Sequence, residues 1–448
     1  MPSYTDRDLT IMKDQVVRVY QNDGVTFLGT IPDAPYLTDF TEAVNAATSS
    51  ITIKLPRKID AFDGAGQPGS RGTIVLGNVV KYVLYGRSLP TTGLVRYVGI
   101  IDTITPTIAA DGGESVDLVL TPRSQILGDH GIVGPINYGT AGIPSTYVDT
   151  GVMFSSWFTT QIDSATSLPY GSPFTLDPTN PATTGNTTQF LYQNQTLLSA
   201  FTNILLLSPS NFYFRMNEAA ETATFNQYNL STPNHFLKIG QHFADLTYSV
   251  DNVSRKNLIM VQGATNVQGI ARGSSISGPG GIGARSYMKR DSRITDAHTA
   301  QMLANGLLAF YDRPQIRTKV TIPDFRGDAL PGLGYDIEQF RVGQTVVILD
   351  SKAPAIAATG PASQWGSMVW GRDKWGGSTQ SQALWGQFLW GGSTWGLGVG
   401  SIFNQIIPIV ALHYKYHSVE LELGFRQPNV LRSLFDLERR FQDATLIS

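Results

Sequence analysis

TDAHTAQMLANGLLAFYDRPQIRTKVTIP, Thr295 to Pro323, changes its hydrophobic period at Pro314, and that change decides the reading of the second half of the chain. Between Asp296 and Asp312, Ala297, Ala300, Ala304, Leu307 and Tyr311 recur at roughly helical spacing, which predicts an amphipathic helix. Asp296 is read as an acid favoured by the dipole at the helix start, and Pro314 stops the helix where a missing N–H does no harm. Beyond it Ile316 to Ile322 alternate as a strand does, and Val342 to Leu349 form an apolar run opened by Val342-Gly343. Ile409 to Leu423 read as two strands turning near His417-Ser418. The predicted order is helix, strand, strand, insert, strand, strand.

The insert is the stretch between the last two strand pairs. Six of the seven tryptophans lie there, each followed by glycine: Trp365, Trp370, Trp375, Trp385, Trp390 and Trp395. A five-residue step matches neither the helical period nor the strand period, so tight turns or short kinked strands are expected. Burying one such ring removes on the order of 200 Å² from water, worth several kcal/mol, and six exposed rings would aggregate. The insert therefore packs on itself and its neighbours, is covered between subunits, or is a recognition surface for sugars or bases. Few polar side chains stand beside the rings, which favours packing or assembly over ligand stacking.

Working back toward the N-terminus, Val16 to Tyr20 and Thr26 to Ile31 flank Asp23-Gly24 and predict an opening hairpin. Ser50 to Leu55, Ile74 to Tyr85, Val95 to Pro106 and Ser115 to Thr121 continue as strands, so residues 10–125 read as one antiparallel barrel or sandwich. From about Gly128 the composition shifts to Gly, Pro, Ser, Thr and Asn. Helices are expected at Val152 to Ile162 and Gln193 to Leu207, then a short hairpin from Phe212 to Met216 and Thr222 to Gln227. Asp39-Phe-Thr-Glu-Ala-Val-Asn is echoed by Asp245-Leu-Thr-Tyr-Ser-Val-Asp, each leading into a strand, which makes two related barrels the working architecture.

The 448 residues suffice for two to four domains, and 42% apolar residues with a mean hydropathy of -0.06 fill ordinary cores. A net charge of -2 argues against a protein that wraps nucleic acid by neutralising phosphates. The absence of cysteine excludes disulfides, thiolate metal sites and a cysteine nucleophile. Met1 to Lys13 contains acids and no apolar signal core, and no stretch is apolar for the roughly 18 to 20 residues a bilayer span needs, so assembly in the cytoplasm and no membrane-spanning segment are expected.

Catalytic chemistry has no signature here. HExxH, GxSxG and Walker patterns do not occur, and His413 and His417 would stand about 13 Å apart on an extended strand. Glu420 and Glu422 occupy the polar positions of a half-buried strand rather than an acid–base pair. Gly278-Pro-Gly-Gly-Ile-Gly283 satisfies GxGxxG but lacks the strand and immediate helix that a dinucleotide needs, and reads as a flexible loop. No catalytic residue, cofactor or metal is expected.

Several segments together resemble the hub proteins of bacteriophage tail tips and related injection machines. They are Val16-Val-Arg-Val-Tyr, Phe27-Leu-Gly-Thr-Ile-Pro-Asp, Ile51-Thr-Ile-Lys-Leu-Pro and Val95-Arg-Tyr-Val-Gly-Ile-Ile-Asp in the first half. In the second half they are Thr295-Asp-Ala-His-Thr-Ala, Thr318-Lys-Val-Thr-Ile-Pro-Asp, Val342-Gly-Gln-Thr-Val-Val-Ile-Leu-Asp and Val419-Glu-Leu-Glu-Leu-Gly. The resemblance spans about residues 14–424 and lies in the order of these segments. It implies a mainly β (α+β) fold: two related antiparallel β-barrels with a smaller interleaved α+β lateral domain and a C-terminal helix. Three subunits would form a pseudo-sixfold ring matching a hexameric tail tube to a threefold tip.

On that reading residues 1–127 form the first barrel, 128–235 the lateral domain, and 236–268 the first strands of the second barrel. Residues 269–313 are a Gly/Ser linker and lateral helix, 314–424 complete the second barrel with the Trp-Gly insert at about 353–404, and 425–448 hold the terminal helix. The implied partners are a homotrimer, the tail tube or distal tail protein, the tape-measure protein, tip or fibre proteins and passing phage DNA. The insert lies outside the shared barrel and could contact the host surface. In place of a lysozyme or peptidase extension, Asn429 to Gln442 is expected to form a helix with Val430, Leu434, Leu437 and Phe441 on one face. That face would dock on its own subunit or clasp a neighbour. The rival functions are a receptor- or carbohydrate-binding tail protein using the insert, and a tail-associated cell-wall hydrolase.

Overall fold

The computed structural model describes residues 15–31, 39–55, 74–84, 93–108, 110, 113–129, 131–132, 135–160, 174–180, 183–192, 195–209, 211–244, 246–251, 255–264, 266–276, 283–312, 315–323, 337–349, 406–415 and 418–424. The Trp-Gly insert and the stretch from residue 425 onward lie outside these, as do residues 278–282 of the glycine-rich motif. Gly283 leads into a strand, not a helix.

Seven strands open the chain: Gln15–Tyr20 (β1), Phe27–Ile31 (β2), Phe40–Ala43 (β3), Ile51–Leu55 (β4), Val79–Leu84 (β5), Leu94–Ile108 (β6) and Glu114–Thr121 (β7). The β1–β2 hairpin closes as its sequence dictates. Asp23 accepts hydrogen bonds from the N–H groups of Val25 at 2.8 Å and Thr26 at 2.9 Å, and Gly24 takes the left-handed φ of 70° that its missing Cβ permits. Strand β5 begins at Val79 rather than Ile74, because Asn78 donates to the Val75 carbonyl at 3.1 Å and closes a turn first. Six of the seven strands make an antiparallel sheet in the order β2-β1-β5-β6-β7-β4. In β4, Ile51, Ile53 and Leu55 are buried and Thr52 and Lys54 exposed, the period of two that a one-sided sheet requires.

The middle of the chain is mixed. Helices Arg123–Asp129 (α1), Thr150–Thr160 (α2) and Leu197–Leu207 (α3) alternate with short strands at Ile136–Tyr138 (β8), Val148–Asp149 (β9), Thr175–Leu176 (β10), Thr187–Thr188 (β11) and Phe190–Tyr192 (β12). Thr196 caps α3 by accepting from the Ser199 N–H at 3.3 Å, and the expected stripe Leu197, Phe201, Ile204 and Leu205 is buried. The hairpin Phe212–Asn217 (β13) and Thr222–Gln227 (β14) follows as read.

Later strands are His235–Lys238 (β15), Thr247–Asp251 (β16), Leu258–Gln262 (β17), Gln268–Arg272 (β18) and Ser286–Arg290 (β19). Helix Ala297–Tyr311 (α4) then precedes Gln315–Pro323 (β20), Thr345–Leu349 (β21), Ile407–Lys415 (β22) and Ser418–Leu423 (β23). Asp296 is the N-cap of α4, its carboxylate accepting from the Thr299 N–H at 2.9 Å. Ala300, Leu303, Ala304 and Leu307 form the buried face, while Ala297, expected among them, is exposed. The second sheet runs β15-β21-β22-β23-β20-β16, with β3 joined to the C-terminal part of β22. β15 pairs with β21 in parallel, and the other pairings are antiparallel.

The fold is mainly β with antiparallel pairing and interleaved helices, as expected, but the described strands form open sheets and not closed barrels. The order of the first sheet ends at β2 and β4, and β3, which could have extended it, crosses to the second sheet. The sequence echo is likewise divided. β3 and β16 both enter the second sheet, β4 stays in the first, and β17, expected with the second barrel, pairs with β18 and β19 in a separate three-stranded sheet. Ile259, Val261 and Ala271 of that small sheet pack in one core with Ala300, Leu303 and Ala304 of α4.

Both large sheets share one hydrophobic core, in which Phe40, Tyr82, Tyr97, Val320, Leu412, Tyr414 and Leu421 lie together. Phe40, 1% exposed, stacks on Tyr414 with ring centres 4.5 Å apart and meets Tyr97 edge-on at 5.4 Å. Phe40→Ala is expected to cost about 3–5 kcal/mol, measured as a lower denaturation midpoint with an unchanged m-value. At Gly269 the α4 backbone approaches so closely that a Cβ would overlap the Ala300 carbonyl. Gly269→Ala is therefore expected to lose about 1–3 kcal/mol, with increased amide exchange in α4 and β18 reporting the separation.

Candidate functional site

All the interaction residues singled out in the sequence, Trp365, Trp370, Trp375, Trp385, Trp390, Trp395, Leu434, Leu437 and Phe441, lie outside the described residues. The titratable groups weighed for chemistry are mostly within them. Glu420 lies on β23 between two lysines from the flanking strands, Lys319 Nζ at 2.7 Å and Lys415 Nζ at 2.9 Å. The hydrogen bond from Lys319, then that from Lys415, pulls its carboxyl down to about 2. Glu422, two residues on, faces His413 Nε2 at 3.6 Å and is lowered chiefly by that contact. Both acids are held ionised in a cross-strand charge ladder, the opposite of what a general acid needs.

The buried histidines are structural. His242 Nδ1 accepts from the Lys238 N–H at 2.9 Å and burial brings it down to about 4, while His235 Nε2 lies 2.9 Å from Gln344 Oε1 and is lowered by burial. Among the described residues no group of three or more histidine or acidic side chains is placed to hold a metal ion.

A cleft of about 340 Å³ opens where the β13–β14 turn meets the first sheet. β6 supplies Leu94 to Tyr97, β3 supplies Glu42, the hairpin supplies Arg215 to Ala220, and Arg341 closes it from the residues ahead of β21. Arg96 is 7% exposed; its guanidinium lies 3.8 Å from the Tyr414 ring centre and 5.6 Å from that of Phe40, and Nη1 is 3.5 Å from Glu42 Oε1. The cation thus sits over the ring stack that joins the two sheets.

Glu218, 8% exposed, accepts from the Ser124 N–H at 3.1 Å through Oε1. Burial pushes its carboxyl up to about 7, outweighing the Ser124 hydrogen bond, and the negative charge of Glu42 adds to the rise. Polar contacts beside it tie the hairpin to α1 and to the residues that follow β3. Arg123 pairs with Glu221 and donates to the Asn22 carbonyl at 3.2 Å, and Asn45 Oδ1 accepts from the Phe214 N–H at 2.7 Å. None of Arg96, Arg215 or Glu218 stood out in the sequence. Arg96 follows Leu94-Val95 as an ordinary polar strand residue, and it is buried over Tyr414 of β22 and Phe40 of β3.

Exposed apolar side chains collect at one end of the first sheet: Val25 at 79%, Phe27 at 54%, Val75 at 48% and Leu76 at 59%. They are neighbours because Tyr20 pairs with both Phe27 and Val79.

Glu218 yields a signed pH dependence. Its folded value of about 7 lies above the ordinary 4.5, so the stability tied to its protonated form is fully present below 4.5 and is lost as the pH rises through about 7. The loss is on the order of 3 kcal/mol at alkaline pH. Glu218→Gln is expected to remove this component, so that urea midpoints at about pH 5 and about pH 8 differ less in the variant than in the parent chain.

No protein-family model and no curated protein matches the chain. Solved structures do resemble it. The tail protein from Neisseria meningitidis MC58 has 12% identity and a TM-score of 0.50, over 93% of this chain and 97% of that one. A prophage tail protein from Listeria monocytogenes EGD-e has 12% identity and a TM-score of 0.47, over 95% and 99%. The 43 kDa tail protein of prophage MuSo2 from Shewanella oneidensis has 9% identity and a TM-score of 0.49, over 92% and 99%. At such identity the likeness is one of fold, and this chain has the overall fold of the Neisseria tail protein.

Proposed function

We propose that this chain is a structural subunit of a phage-type tail tip, a hub that joins the tail tube to the tip proteins as a homotrimer. The observation that carries the reading is the end-to-end fold likeness to the Neisseria tail protein, which takes in 93% of this chain and 97% of that one. A likeness spanning both sheets and the mixed unit between them is what a shared structural role would preserve. The ordered segments between residues 14 and 424 that resemble tail hubs support the same reading from the sequence.

The role is non-enzymatic. Glu420 and Glu422 are engaged by lysine and histidine, and the described histidines serve packing and hydrogen bonding. Exposed Val25, Phe27, Val75 and Leu76 suit a subunit that gains contacts on assembly. In this reading the tube or distal tail protein lies above the ring and tip or fibre proteins below, the tape-measure protein and DNA pass through the lumen, and the virion tail is the site of action.

An electron-microscopy reconstruction of the assembled particle tests this. Three copies encircling the axis at the end of the tube are expected, with the Trp365–Trp395 segment against other chains. Copies on peripheral arms with that segment facing outward would overturn the hub and favour the receptor- or carbohydrate-binding role.

A further inference from the structure

We infer that the far half of β6 is an open strand edge that takes up an extended, uncharged segment of another polypeptide as an added β-strand. Strand β6 outruns its neighbour on one side. β5 pairs with it only as far as Val79–Ile100, and the turn ahead of β5 closes the contact, Ile101 donating to the Asn78 carbonyl at 2.9 Å and accepting from the Gly77 N–H at 2.9 Å. Beyond that point Thr103 to Ile108 pair with β7 alone among the described strands. The overhang runs for about 20 Å at roughly 3.3 Å per residue. Thr103, Thr105, Pro106, Thr107 and Ile108 are exposed, the last at 64%.

The register fixes which main-chain groups face the open side. Pro106 stands opposite Val116 and has no N–H, so the rungs that exchange two hydrogen bonds are Thr105–Asp117 and Thr107–Ser115. Alternation then turns the carbonyls of Ile104, Pro106 and Ile108, and the N–H groups of Ile104 and Ile108, away from β7. One added strand satisfies them all. Pro106 blunts the edge at a single position, but Thr103 to Ile108 hold no charged side chain, the common device against unwanted pairing. Val75 and Leu76, exposed in the turn at the foot of the overhang, give the end of the added strand an apolar seat.

Among the described residues the chain offers no matching strand. The edges at β3, β4, β15 and β16 carry Glu42, Lys54, Lys238 and Asp251, and in β2 the main chain of Gly29 is buried. The residues leading into Ile74 are poor strand formers, with four glycines and a proline between Gly64 and Gly72. Two β6 edges paired symmetrically would set Pro106 against Pro106 and forfeit the central rung. The occupant is therefore a different polypeptide, one that brings a β-branched, uncharged segment in extended form. The edge is open whether or not three copies surround an axis.

Amide exchange of the full chain tests this, with a capped Thr-Val-Thr-Val-Thr peptide added to about millimolar concentration and its fully N-methylated counterpart as control. The counterpart keeps the side chains and lacks the main-chain donors. The Ile104 and Ile108 amides are expected to exchange at least roughly tenfold more slowly with the peptide, while Thr105 and Thr107, bonded to β7 throughout, stay unchanged. Ile108→Pro removes a donor that serves no rung within the subunit, and Ile108→Lys places a charge on the edge. Each should leave the urea midpoint unchanged and abolish the protection of Ile104, the lysine variant serving should the proline variant fail to fold. Thr107→Pro, which removes a bond to β7, should lower the midpoint. Failure to protect Ile104 and Ile108, equal protection by the N-methylated peptide, or protection retained in both Ile108 variants would overturn the proposal. Protection that grows with protein concentration in the absence of peptide would overturn it in favour of a second copy.

Discussion

The fold depends on the crossing of one short strand. Phe40–Ala43 lies between two strands of the first half of the chain yet pairs with Ala411–Tyr414 of the second. Four residues contribute few main-chain hydrogen bonds, but the crossing brings Phe40 onto Tyr414, places Arg96 over the pair, and merges two sheets into one core. A one-sided sheet has no covered inner face alone, and packing the described strands of both sheets into one core removes that apolar surface from water.

The mixed unit is attached by a different kind of contact. Its own core, with Trp157, Phe201, Phe214 and Leu307, is separate from that of the two large sheets. Between the units the links include polar ones, with Asn45 Oδ1 accepting from the Phe214 N–H, Arg123 donating to the Asn22 carbonyl and Ser124 Oγ accepting from the Thr48 N–H, beside the packing of Tyr213 on the core of the large sheets. Such contacts fix orientation more than they add stability, because each exchanges hydrogen bonds with water for hydrogen bonds within the protein. The cleft is a consequence. Where the hairpin turn meets β6 through charged groups, the surfaces do not interlock as apolar side chains do, and Arg215 Nε and Glu218 Oε2 among the lining atoms are left without a hydrogen bond.

Much of the local structure was legible from residue order. The Asp23-Gly24 turn, the capped helix from Ala297 to Tyr311, the stripe of Leu197, Phe201, Ile204 and Leu205, and the strand pair ending at Leu423 all follow from capping, turn chemistry and periodicity. Those signals act over a few residues, and the backbone has no alternative that satisfies them as well. The candidate site was not legible. Arg96, Arg215 and Glu218 are polar residues in a strand or turn, where solvent exposure is the ordinary outcome, and each is made unusual by segments more than a hundred residues away or by a neighbouring sheet.

The sequence by itself determined that this is a largely β chain with an interleaved mixed unit, because period, caps and turns are written in adjacent residues. Tertiary structure alone decided that the described strands form open sheets, that β3 serves the second sheet, and that β17 joins α4 rather than the strands before it. Partner choice in a sheet is set by which apolar faces can be buried together, a property of the whole arrangement that alternation within one strand leaves undefined. The same reason governs charge: burial changes the proton affinity of Glu218, and burial is not a property of the residue but of what folds over it.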